Sequence, residues 1–432
     1  MKKIAFIAIA SVLFTSNSFA QDVSSDYLTN LNTISTSVPF LLIAPDSRAG
    51  AMGDVGAATS PDHNSIHWNA SKLAFLKEDN GFSLSYTPWL QDLVPEISLS
   101  YLSGFKRLSS RSTIGGSLRY FSLGEIQFTN SNGDPISKFS PNEFAFDGAY
   151  AMKLSENFST GMAMRYIYSN LTGGINVDGA APTKPGTSFG VDLSSYYQSN
   201  EFEIENKKAY WAAGMNISNV GNKISYTDGG EEHFLPMNGR LGLNFNMELD
   251  DYNSVSFAFD VNKLLAPTPP VYYTVDNEEY SFGPDGVPAD DFVDGENNNG
   301  DNPEDDVQAN SDYAQSIIAG QSSDVGTLGG MFQSFTDAPG GFKEELNELM
   351  FAAGVEYWYL KQFAFRGGYF HEHATKGNRK YFTVGVGLRM NVFSLDMAFL
   401  LPATQGTRSP LANTLRFTML FDMAALYATD KE

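Results

Sequence analysis

Apolar and polar residues alternate in steps of two through most of this sequence. In the segments 240–248, 252–263 and 379–391, Leu, Val, Phe or Met occupies alternate positions. Alternate side chains of a β-strand point to opposite faces, so this period indicates strands with one apolar and one polar face. We identify fourteen such segments: 81–87, 95–105, 112–122, 143–153, 157–169, 186–198, 209–219, 238–249, 252–263, 347–360, 362–370, 379–391, 393–400 and 412–423.

The linkers between these segments alternate in length. Several that follow even-numbered segments are very short, such as 154–156 and 250–251, whereas most that follow odd-numbered segments are long. Short turns on one side and long loops on the other are typical of outer-membrane barrels, which have an even number of strands. The linkers 88–94 and 199–208 fit this pattern less well. The sequence therefore predicts an all-β fold, a fourteen-stranded antiparallel transmembrane β-barrel over residues 81–432 with long extracellular loops.

The composition agrees with a lipid-facing β protein. Charged residues are 18% of the chain, below the roughly 25% of soluble domains, while aromatic residues reach 13%. The formal net charge of −22 excludes a nucleic-acid partner bound through a basic surface. Because the chain has no cysteine, disulfides and thiolate zinc sites are excluded as well.

The first twenty residues are typical of a secretory signal peptide. Lys2 and Lys3 precede the apolar run 4–14, and the small residues Ser18 and Ala20 precede a predicted cleavage site between Ala20 and Gln21. The apolar run is too short to span a bilayer as a helix. We therefore expect residues 1–20 to be removed on export and the mature chain to reside in the outer membrane.

Residues 21–80 lack the strand period. This segment contains a run of small residues after Ser47, which is a candidate N-cap for a short helix, and a second helical turn at 70–75. Non-strand residues ahead of fourteen strands can fill the lumen of a wide barrel. We expect 21–80 to form an N-terminal plug or hatch.

Charged residues recur on the polar faces of the predicted strands. If these faces line the lumen, six cations and five anions point inward, and paired charges are the rule in protein interiors. We favour a lattice of ion pairs that braces the barrel; the alternative is a polar lumen for a solute. The residues of this candidate lattice are Arg119, Asp147, Arg165, Asp192, Arg240, Asp260, Glu356, Arg366, Arg389, Asp396 and Arg416.

Two stretches of the N-terminal segment carry a family resemblance. Residues 48–58 (RAGAMGDVGAA) resemble the opening motif of FadL-type outer-membrane transporters, and residues 65–74 (SIHWNASKLA) resemble their second plug motif. The chain departs from that pattern at Asp54, where Gly is common, and at 70–72, where Pro-Ala-Gly is usual. With residues 37–53 (SVPFLLIAPDSRAGAMG) and 86–90 (YTPWL), the chain is most similar to the PorV family, the FadL-like components of the type IX secretion system.

The resemblance implies a barrel with an N-terminal hatch and a role in protein secretion. Members of that family bind the large translocon pore and receive secreted cargo that carries a C-terminal signal domain. They then pass the cargo to an attachment complex that contains a sortase-like protease. The alternative from the same fold is transport of hydrophobic small molecules across the outer membrane. The residues that carry the candidate plug motif are Arg48, Met52, Gly53, Trp68 and Asn69.

A long acidic loop follows the ninth predicted strand. Residues 264–342 contain fifteen Asp or Glu and no Lys or Arg, and we place the loop at 264–345, outside the cell. It is interpreted as a solvated loop, with two alternatives: docking of cargo or a partner, and Ca²⁺ binding at Asp290, Asp291, Asp294 and Asp301. Residues 341–346 are predicted to begin a short amphipathic helix that leads back to the barrel.

No motif of the chain predicts an enzyme or a cofactor site. Residues 186–190 (GTSFG) match G-x-S-x-G, but they lie inside an alternating strand rather than in a strand–turn–helix elbow. His63 and His67 are four residues apart without a zincin glutamate, and a hydrogen-bonding role in the plug is the simpler interpretation. We therefore expect no catalytic, cofactor-binding or metal-binding residues.

Overall fold

The computed structural model describes residues 31–90, 94, 96–129, 135–174, 182–272, 317–403, 411 and 414–423. The predicted signal peptide and the four candidate calcium ligands lie outside these residues. Within them, fourteen long strands form one closed antiparallel barrel, which confirms the predicted fold class.

The barrel strands coincide with the fourteen segments predicted from the period of two, with shifts of a few residues at their ends. They are β1 (Asn80–Pro88), β2 (Ile97–Arg107), β3 (Ser112–Leu123), β4 (Asn142–Lys153), β5 (Phe158–Asn170), β6 (Gly186–Gln198), β7 (Lys207–Gly221), β8 (Asn238–Glu248), β9 (Asn253–Leu264), β10 (Met350–Tyr359), β11 (Phe363–His371), β12 (Lys380–Arg389), β13 (Phe393–Pro402) and β14 (Leu415–Asp422).

Each strand pairs with its neighbours in the chain, and β1 closes the ring by pairing with β14. In that closing pair Phe82 lies opposite Phe421 and Leu84 opposite Met419. Because each of the fourteen strands is paired on both sides, the wall has no open sheet edge within the bilayer. A membrane-spanning sheet requires this closure. The short turns mark the periplasmic end and the long loops the extracellular end.

The two faces of the wall differ in polarity. In β9, Phe257 and Phe259 point outward and are 51% and 44% exposed, whereas Ala258 and Asp260 point inward and are buried. The same alternation runs through the other strands, with Phe, Leu, Val and Met outside and Ser, Thr, Gly and charged residues inside. The outer face therefore suits lipid, and the inner face suits a polar interior.

The segment ahead of the barrel lies inside it. It contains a 3₁₀ turn at Pro39–Leu42, the short helices α1 (Ser47–Gly50) and α2 (Ser65–Trp68), and a second 3₁₀ turn at Ala70–Phe75. Helix α1 packs against β12–β14, and the second 3₁₀ turn packs against β3–β6 on the opposite wall. We call residues 31–76 the plug.

The first helix of the plug begins differently from the prediction. Asp46, not Ser47, is its N-cap, because the Asp46 carboxylate accepts a hydrogen bond from Ala49 N at 3.0 Å. The Ser47 hydroxyl instead accepts one from Thr418 on the wall at 3.0 Å. A carboxylate at the N-cap satisfies free N–H groups at the start of a helix, and the neighbouring serine is then available for a tertiary contact.

The long loop after β9 contains further structure at the extracellular end. Residues Val271–Tyr272 pair with Ile317–Ala319, and two helices follow, α3 (Thr327–Gln333) and α4 (Gly341–Asn347). Helix α4 lies where the sequence predicts a short helix. In the described ranges, none of the helices has the length and apolar content needed to cross a bilayer.

Candidate functional site: the plugged lumen

Glycines of the wall allow the plug backbone to approach the strands closely. A Cβ at Gly214 would overlap the carbonyl of Ala57, and a Cβ at Gly368 would overlap the backbone of Met52 and Gly53. Only residues without a side chain fit such a close approach. Inner-face glycines that meet the backbone or a side chain of the plug are Gly81 on β1, Gly115 on β3, Gly161 on β5, Gly214 on β7, Gly242 on β8, Gly354 on β10, Gly368 on β11 and Gly385 on β12.

Arg48 connects the plug to the wall through a buried ion-pair network. Its guanidinium donates to both carboxylate oxygens of Glu356, at 3.0 and 2.8 Å, and to Asp62 of the plug at 2.9 Å. Glu356 also accepts from Arg366 at 2.7 Å, and Arg366 donates to Asp396 at 2.6 Å. Strands β10, β11 and β13 and the plug therefore share one alternating chain of charges.

A second connection lies nearer the extracellular end. The Asp54 carboxylate accepts from Arg416 at 2.9 Å and from the Tyr381 hydroxyl at 2.6 Å. Next to it, Gly53 N donates to the Thr383 hydroxyl at 2.8 Å. Asp54 has a φ of 63°, a left-handed conformation that Asp tolerates better than most residues.

Asp260 holds the next turn of the plug. One oxygen of its carboxylate accepts from Gly56 N at 2.7 Å and from Ala57 N at 3.0 Å. Arg240 lies 3.9 Å from the same oxygen and 4.5 Å above the Trp68 ring. Two backbone N–H groups and one nearby cation thus stabilise the charge of a carboxylate that is fully buried.

A separate charge cluster braces β4–β6 without touching the plug. Arg165 donates to Asp147 at 2.6 Å and to Asp192 at 3.0 Å, and it also contacts Asn219. Asn219 lies in a β-bulge of β7, where the register shifts between Ile217 and Val220, and its side chain reaches Pro236 O. The bulge turns a polar side chain into the lumen and completes this cluster.

Two arginines of the candidate lattice make no ion pair within the described residues. Arg119 donates to Leu41 O at 2.7 Å, lies 2.6 Å from His67 Nδ1 and faces the Tyr101 ring. Arg389 lies 4.6 Å above the Trp358 ring and lines a polar cavity of about 340 Å³ at the periplasmic mouth. The charges of the lumen therefore form several groups rather than one continuous lattice.

The other predicted plug residues are buried among plug and wall groups. Trp68 donates its indole N–H to Asp46 at 2.6 Å, and Asn69 donates to both Ala57 O and Ser195 O at 2.9 Å. Met52 packs against Val55 in an apolar cluster with inner-face residues of β9–β13. These three side chains fix the path of the plug rather than line an open site.

An apolar compartment lies toward the extracellular end of the lumen, and the plug fills it. Phe40 and Leu41 pack among Leu99, Ile167 and Leu235. Phe40 also stacks on Phe121 with ring centroids 6.1 Å apart. The chain's own side chains therefore occupy the part of the lumen that is most suited to a hydrophobic molecule.

The comparison with protein families decides the identity. The family described as type IX secretion system protein PorV matches residues 26–271, more than half of the chain. This chain belongs to the PorV family. It is thus an outer-membrane β-barrel of the type IX secretion system family, and the predicted resemblance is confirmed. No curated protein matches this chain.

Solved structures similar to this PorV-family chain include FadL-like barrels. The toluene transporter TodX of Pseudomonas putida is 10% identical, with a TM-score of 0.43 and coverage of 91% of this chain and 98% of TodX. The Ralstonia pickettii toluene transporter TbuX is 12% identical, with a TM-score of 0.40 and coverage of 88% and 96%. A Pseudomonas aeruginosa FadL homologue is 10% identical, with a TM-score of 0.39 and coverage of 91% and 99%. At these levels the fold assignment rests on the strand pairing described above.

The period of two does not identify three charged residues of the plug that make buried contacts, namely Asp54, Asp62 and Lys72. Lys72 is fully buried and donates to Gly56 O at 2.8 Å and to the Thr59 hydroxyl at 3.0 Å. The available signal is the departure from the FadL-type pattern, because Asp54 and Lys72 stand where that pattern has glycines. In this PorV-family chain both positions hold contacts that fasten the plug.

Proposed function

We propose that this PorV-family barrel binds secreted cargo through the C-terminal signal domain of that cargo at the translocon pore. It then delivers the cargo to the surface attachment machinery, which contains a sortase-like protease. Membership of the family supports the role in secretion. The observation that carries the proposal further is that the lumen is filled and fastened, which leaves the outer surface and loops for binding.

The plug is held at three separate points of the wall. Glu356 holds it through Arg48, Arg416 holds it through Asp54, and Asp260 holds its backbone. Breaking a buried ion pair by removing one partner costs about 3–5 kcal/mol. Opening a path through the barrel requires several such contacts to break together, so passage through the lumen is a poor description of this protein.

The transporter alternative has less support. A carrier of hydrophobic molecules needs an apolar pocket that a substrate can enter. Here Phe40 and Leu41 fill this apolar compartment. Plug residues such as Leu73 and Met52 fill the other apolar clusters of the lumen, and buried charges lie between them. A substrate would have to displace the chain's own side chains before it could bind.

The proposal is tested by deleting the gene and comparing the proteins of the culture medium and of the cell surface with those of the parent strain. The expected result is the loss of many unrelated proteins that share one C-terminal domain. Unchanged secretion together with slower uptake of a hydrophobic nutrient would instead support the transporter.

A disulfide that locks the plug to the wall distinguishes secretion from transport through the lumen while the protein stays folded. The Ser47 and Thr418 hydroxyl oxygens are 3.0 Å apart, and the chain has no native cysteine. Ser47→Cys with Thr418→Cys therefore introduces a single disulfide between α1 and β14, which can form in the oxidising periplasm. The locked protein is expected to secrete as well as the two single-cysteine controls. Loss of secretion that a reductant restores would show that the plug moves during function.

A further inference from the structure

In the extracellular segment 325–349, which we call the external arm, acidic side chains are buried while several large apolar side chains are exposed to solvent. Its small, polar and acidic residues face the barrel, among them Gly330, Ser334, Glu345 and Glu348, all of which are buried. Val325 and Met331 pack against an apolar cluster at the rim, whereas five other large apolar side chains of the arm are exposed. These exposed residues are Leu328, Phe332, Phe335, Phe342 and Leu346.

The exposure is large for side chains of this kind. Phe332 is 69% exposed and Phe342 is 67% exposed. On α3, Leu328 and Phe332 are four residues apart, so they lie on one face. Phe335 lies just beyond the end of α3, with its ring centroid 5.7 Å from Lys263 Nζ. Soluble proteins rarely expose contiguous apolar patches of this kind, and such a patch marks contact with a membrane or a partner.

The buried side of the arm is held by ion pairs to the rim of the barrel. Lys263 at the top of β9 contacts Glu345 at 3.0 Å and also contacts Glu348. Lys376 in the next extracellular loop lies 3.0 Å from Glu348, and the Thr268 hydroxyl donates to Glu348 at 2.6 Å. With its acidic side fixed in this way, α4 presents Phe342, Lys343 and Leu346 outward.

The arm is continuous with the lipid-facing wall. Lys263 occupies the same face of β9 as Phe257, Phe259 and Val261, which is the outer face. Just beyond β9, Leu265 packs over Gly239 of β8. The Cδ1 atom of Leu265 lies 3.3 Å from the position that a Cβ on Gly239 would occupy. Gly239 in turn pairs with Ile217 of β7. The apolar outer surface of the barrel therefore continues upward onto the rim that carries the arm.

The chain that leaves the arm returns directly to that surface. Two residues after the arm, Phe351 of β10 points outward and stacks on Phe259, with ring centroids 6.3 Å apart. The C-terminal end of α4 thus leads directly into an outward-facing position of the wall.

The charge on the exposed side agrees with an anionic lipid surface. Of the five charged residues in 325–349, only Lys343 is exposed, because Asp337, Glu344, Glu345 and Glu348 are buried. A lysine beside an apolar stripe can extend to the phosphate level while the stripe lies among acyl chains. The repulsion expected from the acidic composition of this loop is absent on this face.

We propose that the external arm lies in the outer leaflet, with its Leu and Phe side chains at the headgroup–acyl boundary and Lys343 at an anionic lipid headgroup. The arm then anchors the extracellular end of β9 and β10 to the membrane surface. This inference does not depend on the proposed role in secretion, and its test involves no cargo.

The experiment uses the absence of native cysteine in the whole chain. Single replacements Phe332→Cys and Phe342→Cys carry a spin label in the full-length protein, reconstituted in vesicles of phosphatidylethanolamine and phosphatidylglycerol. Phe259→Cys on the lipid-facing wall and Asp251→Cys in an exposed periplasmic turn serve as controls. The measurement is the accessibility of each label to oxygen, which partitions into lipid, relative to a water-soluble nickel complex.

The labels at 332 and 342 are expected to match the Phe259 control, with the ratio of oxygen to nickel accessibility several-fold above that at Asp251. Labels that match the Asp251 control would overturn the proposal. If the nickel complex reaches them in vesicles but not in outer membranes of secreting cells, a protein partner covers the arm instead of lipid. As a second readout, Lys343→Glu should move the label at 342 toward water in these anionic vesicles but not in phosphatidylcholine vesicles; an unchanged position in both would contradict a headgroup contact.

Discussion

The guanidinium of Arg48 and the carboxylate of Glu356 meet through two parallel hydrogen bonds across 308 positions of the chain. This bidentate geometry is among the stronger forms of charge-assisted hydrogen bond. Both side chains are shielded from solvent, and Asp62 and Arg366 complete the surroundings of the pair. Plug and barrel are therefore coupled at a position where removing either charge takes a buried bidentate partner from the other.

Arg48→Met is expected to lower the free energy of unfolding by about 3–5 kcal/mol, because Glu356 and Asp62 lose a shared cation in a buried site. The measurement is urea unfolding of the refolded barrel in detergent, followed by tryptophan fluorescence. Lys138→Met removes the exposed partner of Glu125 and serves as the control, with no measurable change expected. Equal losses in both variants would show that Arg48 does not fasten the plug.

Gly214→Ala is expected to destabilise the protein by about 1–3 kcal/mol, because the added methyl group overlaps the carbonyl of Ala57 and forces the plug away from β7. Gly148→Ala is the matched control, since it makes the same change on the outer face of β4, where nothing lies within 4 Å. The readout is the urea midpoint of each variant, together with the rate at which a protease cleaves the plug. A Gly214 variant as stable as the Gly148 variant would contradict the close packing of plug and wall.

The barrel is predictable from sequence because its signal is local and repeated. Every strand carries its own alternation of apolar and polar residues, and the number and order of strands follow from adding these segments. The N-cap of α1 is harder to predict, because Asp46 and Ser47 are both good capping residues and only the contact of Ser47 with Thr418 separates them.

The partners of the lumen charges could not be predicted in the same way. Which inward side chains meet depends on the stagger of the strands and on the path of the plug, and the period of two encodes neither. Arg119 shows the consequence, since it binds Leu41 O and His67 rather than a carboxylate. The orientation of the external arm is still harder to predict. Its helix α4 is amphipathic, as the sequence predicts, but ion pairs to Lys263 turn its acidic side toward the barrel.

Phe257→Arg is expected to impair assembly by about 2–4 kcal/mol, the cost of a charge on the lipid face near the bilayer midplane. Phe257 lies in the middle of β9 with its side chain outward. Heat-modifiable migration on a gel reports the folded fraction in vesicles, and Phe257→Leu, which keeps the position apolar, is the control. Normal folding of the arginine variant would place this position away from lipid.

The external arm is expected to loosen as the pH rises toward neutrality, through Asp337. Burial raises the pKa of this carboxyl to about 7, and the nearby Glu345 and Glu348 act in the same direction, against a hydrogen bond from Thr268 N and the charge of Lys263. In the unfolded chain an aspartate has a pKa of about 3.9. The folded arm therefore holds the proton more tightly than the unfolded chain does. This contribution to stability is complete below about pH 4, is lost as the pH rises to about 7, and is constant above that.

Asp337→Asn should remove this dependence, because an amide oxygen still accepts from Thr268 N but carries no charge. The measurement is the rate of limited proteolysis within the arm at pH 6 and pH 8, in wild type and in the variant. Dividing the wild-type rate by that of the variant at each pH cancels the pH dependence of the protease. The ratio is expected to rise from pH 6 to pH 8, because only the wild type acquires an uncompensated buried charge. A ratio that stays constant would mean that Asp337 is already ionised in the folded arm at pH 6. Lys263 would then stabilise the charge of Asp337 as well as the charges of Glu345 and Glu348.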